Sequence, residues 1–162
     1  MGAIYSMAAA GWTPVNHADG ATALANNSYQ AHRTWAATAM VRNIEFYVGG
    51  EATSSTPQRM AVRRASTNVA TPTNVAPGPY APGPASAFQG YVTATTGPTV
   101  ASTTHLVHLA FNAFGGVVRW VAAPGEEIYQ ITNTAANSDL ILDSIAGTGA
   151  VSTHAIIEEI TI

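Results

Sequence analysis

The chain has 162 residues and a net charge of −3, only 9% of its residues are charged, and all six of its basic residues are arginine. Nucleic-acid binding normally requires a clustered basic patch. The negative net charge of this chain therefore argues against nucleic-acid binding. The sequence contains no cysteine, which excludes a disulfide framework, a thiolate metal site and a cysteine nucleophile. The length fits a single domain that buries roughly two-thirds of its unfolded surface.

A long uncharged stretch is the most informative feature of the sequence. Between Arg64 and Arg119 there is no Asp, Glu, Lys or Arg over 54 residues. Disordered segments of such length are normally charged and poor in aromatic residues, but this one contains several Tyr and Phe residues. Six of the nine prolines fall within it, so it has no unbroken run of about 20 apolar residues and is not a membrane helix. We therefore expect sheet and loop that face other protein more than water.

Residues 1–38 are rich in Ala, Asn and Thr, and their apolar residues follow no helical period. We predict an extended N-terminal arm, separate from a single β-sandwich domain over residues 39–162. Trp12 and Trp35 are its expected anchors, and a short helix over residues 28–38 is an alternative. The segment has no basic region followed by an apolar run, so it does not resemble a signal peptide.

The first clear strands lie between residues 39 and 65. From Val41 to Val48 the even positions, including Ile44 and Phe46, form a largely apolar face, and Gly49-Gly50 ends the run. A second strand from Arg59 to Arg64 alternates in the same way. Its arginines are more typical of ion-pair partners or a solvated strand face than of a phosphate site.

Residues 66–98 are dominated by Pro, Gly, Thr and Ala. Proline cannot donate a ladder hydrogen bond, so we predict a stiff Pro/Gly-rich loop. We expect it to lie over its own domain or a neighbour, in preference to acting as a proline-rich ligand for an aromatic groove.

Five short strands follow between His105 and Ile162, at a spacing of roughly 10 to 12 residues and with Gly or Pro turns between them. The first has Val107, Leu109 and Phe111 on one face, and Gly115-Gly116 is the expected turn into the second. Short, evenly spaced strands without an intervening helix are typical of sandwiches and jelly rolls. The predicted fold is therefore all-β, a jelly-roll-like antiparallel β-sandwich.

The sequence shows no arrangement typical of catalysis. His105 and His108 are three residues apart, and such residues on one strand point to opposite faces, so we expect His105 on the core face, His108 on the other and no metal site. No nucleophile elbow or phosphate loop is present. Adjacent carboxylates at Glu126-Glu127 and Glu158-Glu159 face opposite ways on a strand. We predict no enzyme, no catalytic residue and no cofactor.

Three segments carry a family resemblance: Gly116 to Glu126 with its Arg-Trp strand and Pro-Gly turn, Ser138 to Ile145, and Val151 to Glu159. Together they resemble the end of small tailed-bacteriophage virion proteins, jelly-roll proteins that decorate or cement capsids, often as trimers. The resemblance implies contact with the major capsid protein and no catalytic residues. It covers roughly residues 105 to 162.

Three hypotheses follow. The first is a capsid cement or decoration protein, a homotrimer made in the host cytoplasm and located on the capsid surface, with no nucleic-acid or membrane partner. The second is a carbohydrate- or receptor-binding jelly-roll module of a phage tail or head fibre. The third is a cupin-like enzyme that uses His105 and His108. Candidate partner-binding residues are the aromatic ones, namely Trp12, Trp35, Tyr80, Phe88, Tyr91 and Trp120.

Overall fold

The computed structural model describes residues 2–24, 29–34, 39–67, 70–100, 104–130 and 139–161. Regular structure in these ranges is β-strand, and they contain no helix long and apolar enough to cross a membrane. Trp35 lies outside them. The strands are β1 (Ala3–Trp12), β2 (Tyr29–Thr34), β3 (Ala39–Glu51), β4 (Pro57–Arg64), β5 (Ala70–Val75), β6 (Gly78–Pro79), β7 (Phe88–Thr96), β8 (Val107–Asn112), β9 (Phe114–Val121), β10 (Ile128–Gln130), β11 (Leu140–Ala146) and β12 (Val151–Thr161).

The strands form two antiparallel sheets. The first sheet has the order β10–β3–β12–β1–β6, and β9 pairs with β3 beside β10. The second sheet has the order β5–β7–β2–β11–β4–β8. Within them, β1–β12–β3–β9 and β2–β11–β4–β8 supply the eight strands of a jelly roll. The predicted fold class is therefore confirmed, with β5, β6, β7 and β10 as additions at the sheet edges.

The hydrophobic core is built from strands of both sheets. Alternate residues of each strand point inward, and burying each large side chain contributes about 1.5–3 kcal/mol. The rings of Tyr5 from the first sheet and Phe88 from the second meet edge to face, with centroids 5.4 Å apart. The larger buried members are Tyr5, Met7, Trp12, Val41, Phe46, Val48, Met60, Val62, Phe88, Leu109, Leu140, Leu142 and Ile157.

The structure corrects the predicted N-terminal arm. Strand β1 lies between β12 and β6 in the first sheet, and the side chains of Tyr5 and Met7 are each only 1% exposed. An irregularity after Ala9, where Gly11 has a φ of 64°, returns Trp12 to the core. The period-two pattern is weak because three of the four outward positions of β1, Ile4, Ala8 and Ala10, are also apolar. Residues 29–34 form β2, so the short helix is wrong there too. The described residues before position 35 are therefore part of the sandwich.

The segment after β1, residues 13–24, crosses the outer side of the second sheet, and we call it the strap. Its backbone bonds to β11 through His17, whose N–H donates to the Ser144 carbonyl at 3.0 Å. Leu24 at its end packs in a second small core with Ala65, Tyr91, Val100 and Ile141. The strap therefore covers the second sheet on the side away from the main core.

The predicted loop over residues 66–98 contains strands as well. Pro72 and Pro79 lie in β5 and β6, the two edge strands on one side of the sandwich, where a missing N–H is tolerated. The residues between β6 and β7 lie against β1, because Tyr80 N–H donates to the Ile4 carbonyl at 2.9 Å and Tyr5 Oη donates to the Pro84 carbonyl at 3.2 Å. The expectation that this segment rests on its own domain is confirmed for these residues.

Two local irregularities shift the predicted patterns. Ile156 pairs with Glu45 and Ile157 with Asn43, so Ile44 forms a bulge and the buried positions of β3 change from odd to even there. The predicted turn at Gly115-Gly116 is also displaced. The corner lies at the fully buried Ala113, where the chain passes directly from β8 in the second sheet to β9 in the first.

Candidate interaction surfaces

Exposed apolar side chains are concentrated at one edge of the first sheet. Phe114, Val117 and Val121 on β9 are 60%, 58% and 48% exposed, and Tyr47 on the neighbouring β3 is 36% exposed. Tyr47 pairs with Arg119, so these side chains share one region around the outer side of β9. We call Tyr47, Phe114, Val117 and Val121 the β9 patch. Val117 and Val121 flank Arg119 on this face, and exposed apolar residues grouped in this way mark an interaction site more often than a scattered apolar residue does.

Several charges on this side of the sheet are paired within it, whereas Glu51, opposite Phe114 in the ladder, is exposed and bonds to the Ser152 hydroxyl. Arg119 donates two hydrogen bonds to the carboxylate of Glu45, at 2.7 and 2.8 Å. These hydrogen bonds lower the pKa of Glu45 and raise the pKa of Arg119. Arg42 binds both Glu158 and Glu127, the latter at 3.3 Å. A partner that covers such a surface need not supply counter-charges for these groups, so an uncharged partner surface fits it.

The outer side of the second sheet is different, because the strap covers it. Beneath the strap, Arg63 and Asp143 are both fully buried and form a bidentate ion pair, with Nε 3.1 Å from Oδ1 and Nη2 bound to Oδ2. Burial raises the pKa of Asp143, although its bonds to Arg63 act in the opposite direction. Burial also lowers the pKa of His17, whose imidazole faces this pair. The chain itself therefore covers this side of the sandwich around β4 and β11, whereas His108 and Ala110 on β8 remain exposed.

A shallow cavity of about 370 Å³ lies at the opposite edge of the first sheet, between Gly2–Tyr5 of the N-terminal strand and the Pro79–Pro84 segment. Tyr80 lines it and is 60% exposed. The walls are largely apolar, and proline restricts the movement of one of them. We call this the loop pocket. It suits the face of a ring or an apolar side chain more than a charged group.

Five of the six predicted partner-binding aromatics lie within the described residues and occupy very different environments, whereas Trp35 lies outside them. Trp12, Phe88 and Tyr91 are 6%, 2% and 2% exposed and lie in the two cores, so they are corrected from partner-binding to core residues. Trp120 is half-buried against Phe46, with ring centroids 5.6 Å apart. Tyr80 is freely exposed. The sequence does not show which aromatic residues of the uncharged stretch point inward. In a segment rich in Gly, Pro and Thr, inward and outward strand positions cannot be told apart.

Of the two histidines near β8, His108 is exposed and faces away from the core as predicted, whereas His105 does not lie on the core face. His105 precedes β8, which begins at Val107, so strand alternation does not extend to it. Its ring stacks on His108 with centroids 5.7 Å apart, and its Nε2 lies 3.0 Å from Asp19 Oδ1 of the strap. Within the described residues, no group of three or more His, Asp or Glu side chains is placed to hold a metal ion.

Sequence reasoning missed the β9 patch. Strand β9 carries apolar residues on both faces, since Val117 and Val121 alternate with Val118 and Trp120. An antiparallel strand normally has one polar face, so a strand that is apolar on both faces and lies at a sheet edge indicates an exposed apolar surface. That signal is present in the sequence. The edge position of β9, however, becomes known only from the fold.

Comparisons with known proteins add little to this description. No protein-family model matches the chain, and no curated protein matches it significantly. A solved structure from a study of a picornavirus capsid, a massively expanded equine rhinitis A virus particle, is similar at 8% identity and a TM-score of 0.28, over 98% of this chain and 70% of that chain. At that TM-score the similarity supports no inference about what this chain binds.

In the described part of the chain, two uncovered surfaces of different kinds lie on the first sheet. The β9 patch is open and apolar beside self-paired charges. The loop pocket is concave and centred on one tyrosine. The geometry favours binding to other macromolecules at these two places.

Proposed function

We propose that the chain is a structural virion protein that binds the outside of a tailed-phage capsid lattice and stabilises it, as a cement or decoration protein does. In this proposal its partners are the major capsid protein and further copies of itself. It is made in the host cytoplasm and resides on the capsid surface. It catalyses no reaction, holds no cofactor and binds neither nucleic acid nor membrane.

The observation that carries the proposal is the β9 patch. Phe114, Val117 and Val121 are large, exposed and apolar, whereas the corresponding side of the other sheet is covered by the chain's own strap. This apolar surface lies on one side of the molecule, next to ion pairs that form within the chain. It fits a partner surface that is poor in charge and present at high local density. Burying such a surface is driven by the apolar area removed from water.

A capsid lattice presents the same binding site many times. A protein that engages several copies of that site gains avidity without strong single contacts. The low charge content of the chain, 9%, means that charge steering contributes little to this attachment. Binding should therefore survive high ionic strength, where the Debye length falls from about 10 Å to about 3 Å.

The test is co-sedimentation with capsids assembled without this chain, at about 0.1 M and about 1 M salt, followed by heating. We expect the protein to pellet with the capsids at both salt concentrations and to raise the temperature of capsid disruption. A protein that stays in the supernatant at both concentrations, or that binds without stabilising the capsids, contradicts the proposal.

A matched pair of variants locates the binding surface. Val117→Asp and Val121→Asp each place a charge in the β9 patch at a position already exposed to water, so the fold should be retained. Val15→Asp is the control, because Val15 is also exposed, at 43%, but lies on the strap over the second sheet. We expect the two patch variants to lose co-sedimentation and the Val15 variant to keep it.

A second candidate function rests on the loop pocket. A carbohydrate- or receptor-binding module of a phage tail or head fibre would use an exposed aromatic ring in a shallow apolar cavity, which Tyr80 provides. Glycan binding that disappears in Tyr80→Ala but persists in Tyr47→Ala would favour this function over the lattice proposal.

A further inference from the structure

The strap is held to the second sheet by few apolar contacts. Of residues 13–24 only three are buried, namely Pro14, His17 and Leu24, and the others are half-buried or exposed. His17 is the middle one of these three and is 8% exposed. A segment with so little buried apolar surface belongs to the low-stability part of a fold. Its attachment therefore depends on polar contacts.

These polar contacts surround His17. The backbone N–H of His17 donates to Ser144, and the Ser144 hydroxyl lies 2.8 Å from Asn16 Oδ1. Arg63 Nη1 donates to the Ala21 carbonyl at 3.1 Å. Two further backbone bonds join the strap to residues 98–100, from Leu24 N–H to the Pro98 carbonyl at 3.2 Å and from Val100 N–H to the Thr22 carbonyl at 2.7 Å.

The His17 imidazole is buried without a hydrogen-bond partner for its Nε2 among the described residues. Asp143 from β11 and Arg63 from β4 act on it in opposite directions, since the carboxylate favours an imidazolium and the guanidinium disfavours it. Arg63 also binds both carboxylate oxygens of Asp143. His105, which precedes β8, also acts on Asp143 and lies beside Asp19 of the strap. Burial is the largest of the effects on His17, so the docked strap favours a neutral imidazole.

We propose that the strap is an acid-released cover: protonation of His17 detaches residues 13–24 and uncovers the outer side of the second sheet. The uncovered surface contains the small core that Leu24 closes, including Tyr91, Val100 and Ile141. Release therefore exposes a second apolar surface, on the side of the sandwich opposite the β9 patch. This inference is independent of the proposed capsid function.

The direction of the pH effect follows from linkage. Burial lowers the pKa of His17 in the docked state, so the released strap binds a proton more readily. Docking is therefore fully favourable above the ordinary histidine pKa of about 6.5 and is lost as the pH falls from there towards the lowered value. Asp143, whose pKa is raised by burial, acts in the opposite direction, because its protonated form is favoured in the docked state.

Hydrogen exchange of the full chain tests the proposal. The amides of His17, Leu24 and Val100 report the strap, and the amide of Ala122, which bonds to the Ile44 carbonyl in the first sheet at 2.9 Å, is the reference. After correction for intrinsic rates, we expect the strap amides to exchange severalfold faster at about pH 5 than at about pH 7.5, with the reference unchanged. The His17→Gln variant should lose this difference. The His108→Gln variant, which removes an exposed imidazole, should keep it.

A nuclear magnetic resonance titration of the wild-type imidazoles gives an answer that does not depend on any variant folding. We expect His17 to titrate below the ordinary histidine pKa of about 6.5 and in step with changes in strap resonances. Strap exchange that is independent of pH in the wild-type chain overturns the proposal. So does a His17→Gln chain that keeps the full pH response, or a His17 that titrates with no change in the strap.

Discussion

Arg63 and Asp143 illustrate how a single buried pair can depend on the rest of the fold. The sequence marks Arg63 only as one of three nearby arginines, for which ion-pair partners or a solvated strand face were the expected roles. The structure supports the first role for Arg63, whose partner lies 80 residues away on a neighbouring strand. Period-two spacing correctly predicts that Arg63 points to the other face of its strand from Met60 and Val62. It could not indicate that the strap covers that face, because nothing local to Arg63 reports it.

The first prediction concerns this pair. Asp143→Asn leaves the Arg63 guanidinium buried without its counter-charge, which should lower the free energy of unfolding by about 3–5 kcal/mol. Replacing both partners by apolar residues, as in Arg63→Met with Asp143→Leu, removes the unpaired charge and should recover much of that loss. Urea denaturation at neutral pH measures both values.

The Glu45–Arg119 pair is the comparison, since the Arg119 side chain is 60% exposed and ion pairs open to solvent contribute less to stability than buried ones. Arg119→Gln should therefore have a much smaller effect than Asp143→Asn. If the double variant is no more stable than Asp143→Asn alone, the loss does not come from an unpaired arginine, and the interpretation is wrong.

At the scale of elements, the sequence predicted the strands whose large side chains alternate clearly. These are β3, β4, β8, β9, β11 and β12, together with the described part of β10. It missed β1, β2, β5, β6 and β7, and all of these except β2 are rich in Ala or Thr or contain proline. In such strands the inward and outward residues are similar in polarity, so period two is weak. Their strand character comes from pairing with distant partners, as when β1 pairs with β12 near the other end of the chain.

The second prediction tests the corrected role of β1. Deleting residues 1–12 removes the buried side chains of Tyr5, Met7 and Trp12, each contributing about 1.5–3 kcal/mol, and opens the ladder to β12. The sum is comparable to the total stability of a typical domain, about 5–15 kcal/mol. We therefore expect the truncated chain to lose its cooperative thermal transition in calorimetry.

Residues 81–85 provide the comparison, because they are all exposed. Replacing them with Gly and Ser should preserve the cooperative transition with a modest decrease in the melting temperature. If the chain without residues 1–12 still shows a cooperative thermal transition, the N-terminal segment is a separate arm, as the sequence predicts.

At the scale of the whole molecule, the two outer sides of the sandwich are not equivalent. One is covered by the strap, and the other carries the β9 patch at one edge and the loop pocket at the opposite edge. Two separated surfaces allow one contact with a lattice and another with a neighbouring copy. The uncharged stretch that dominates the sequence contributes to both surfaces, through Phe114 and Val117 on β9 and through the segment around Tyr80.

The last prediction is a homotrimer whose copies meet through the loop pocket. Tyrosine is enriched at interfaces, and a wall stiffened by proline loses little conformational freedom when it is covered. Closed cyclic symmetry is the usual arrangement of such assemblies. Light scattering at micromolar concentration should give about three times the chain mass of 16.7 kDa. The trimer should persist at about 1 M salt, because few charges are available to hold it.

Variants separate this contact from the lattice contact. Tyr80→Asp should reduce the mass to that of one chain, whereas Val121→Asp should leave a trimer that no longer sediments with capsids. A wild-type mass near 17 kDa rules out the trimer. If Val121→Asp dissociates the trimer and Tyr80→Asp does not, the copies meet through the β9 patch. The charge added to that exposed edge strand would then be the cause of their separation.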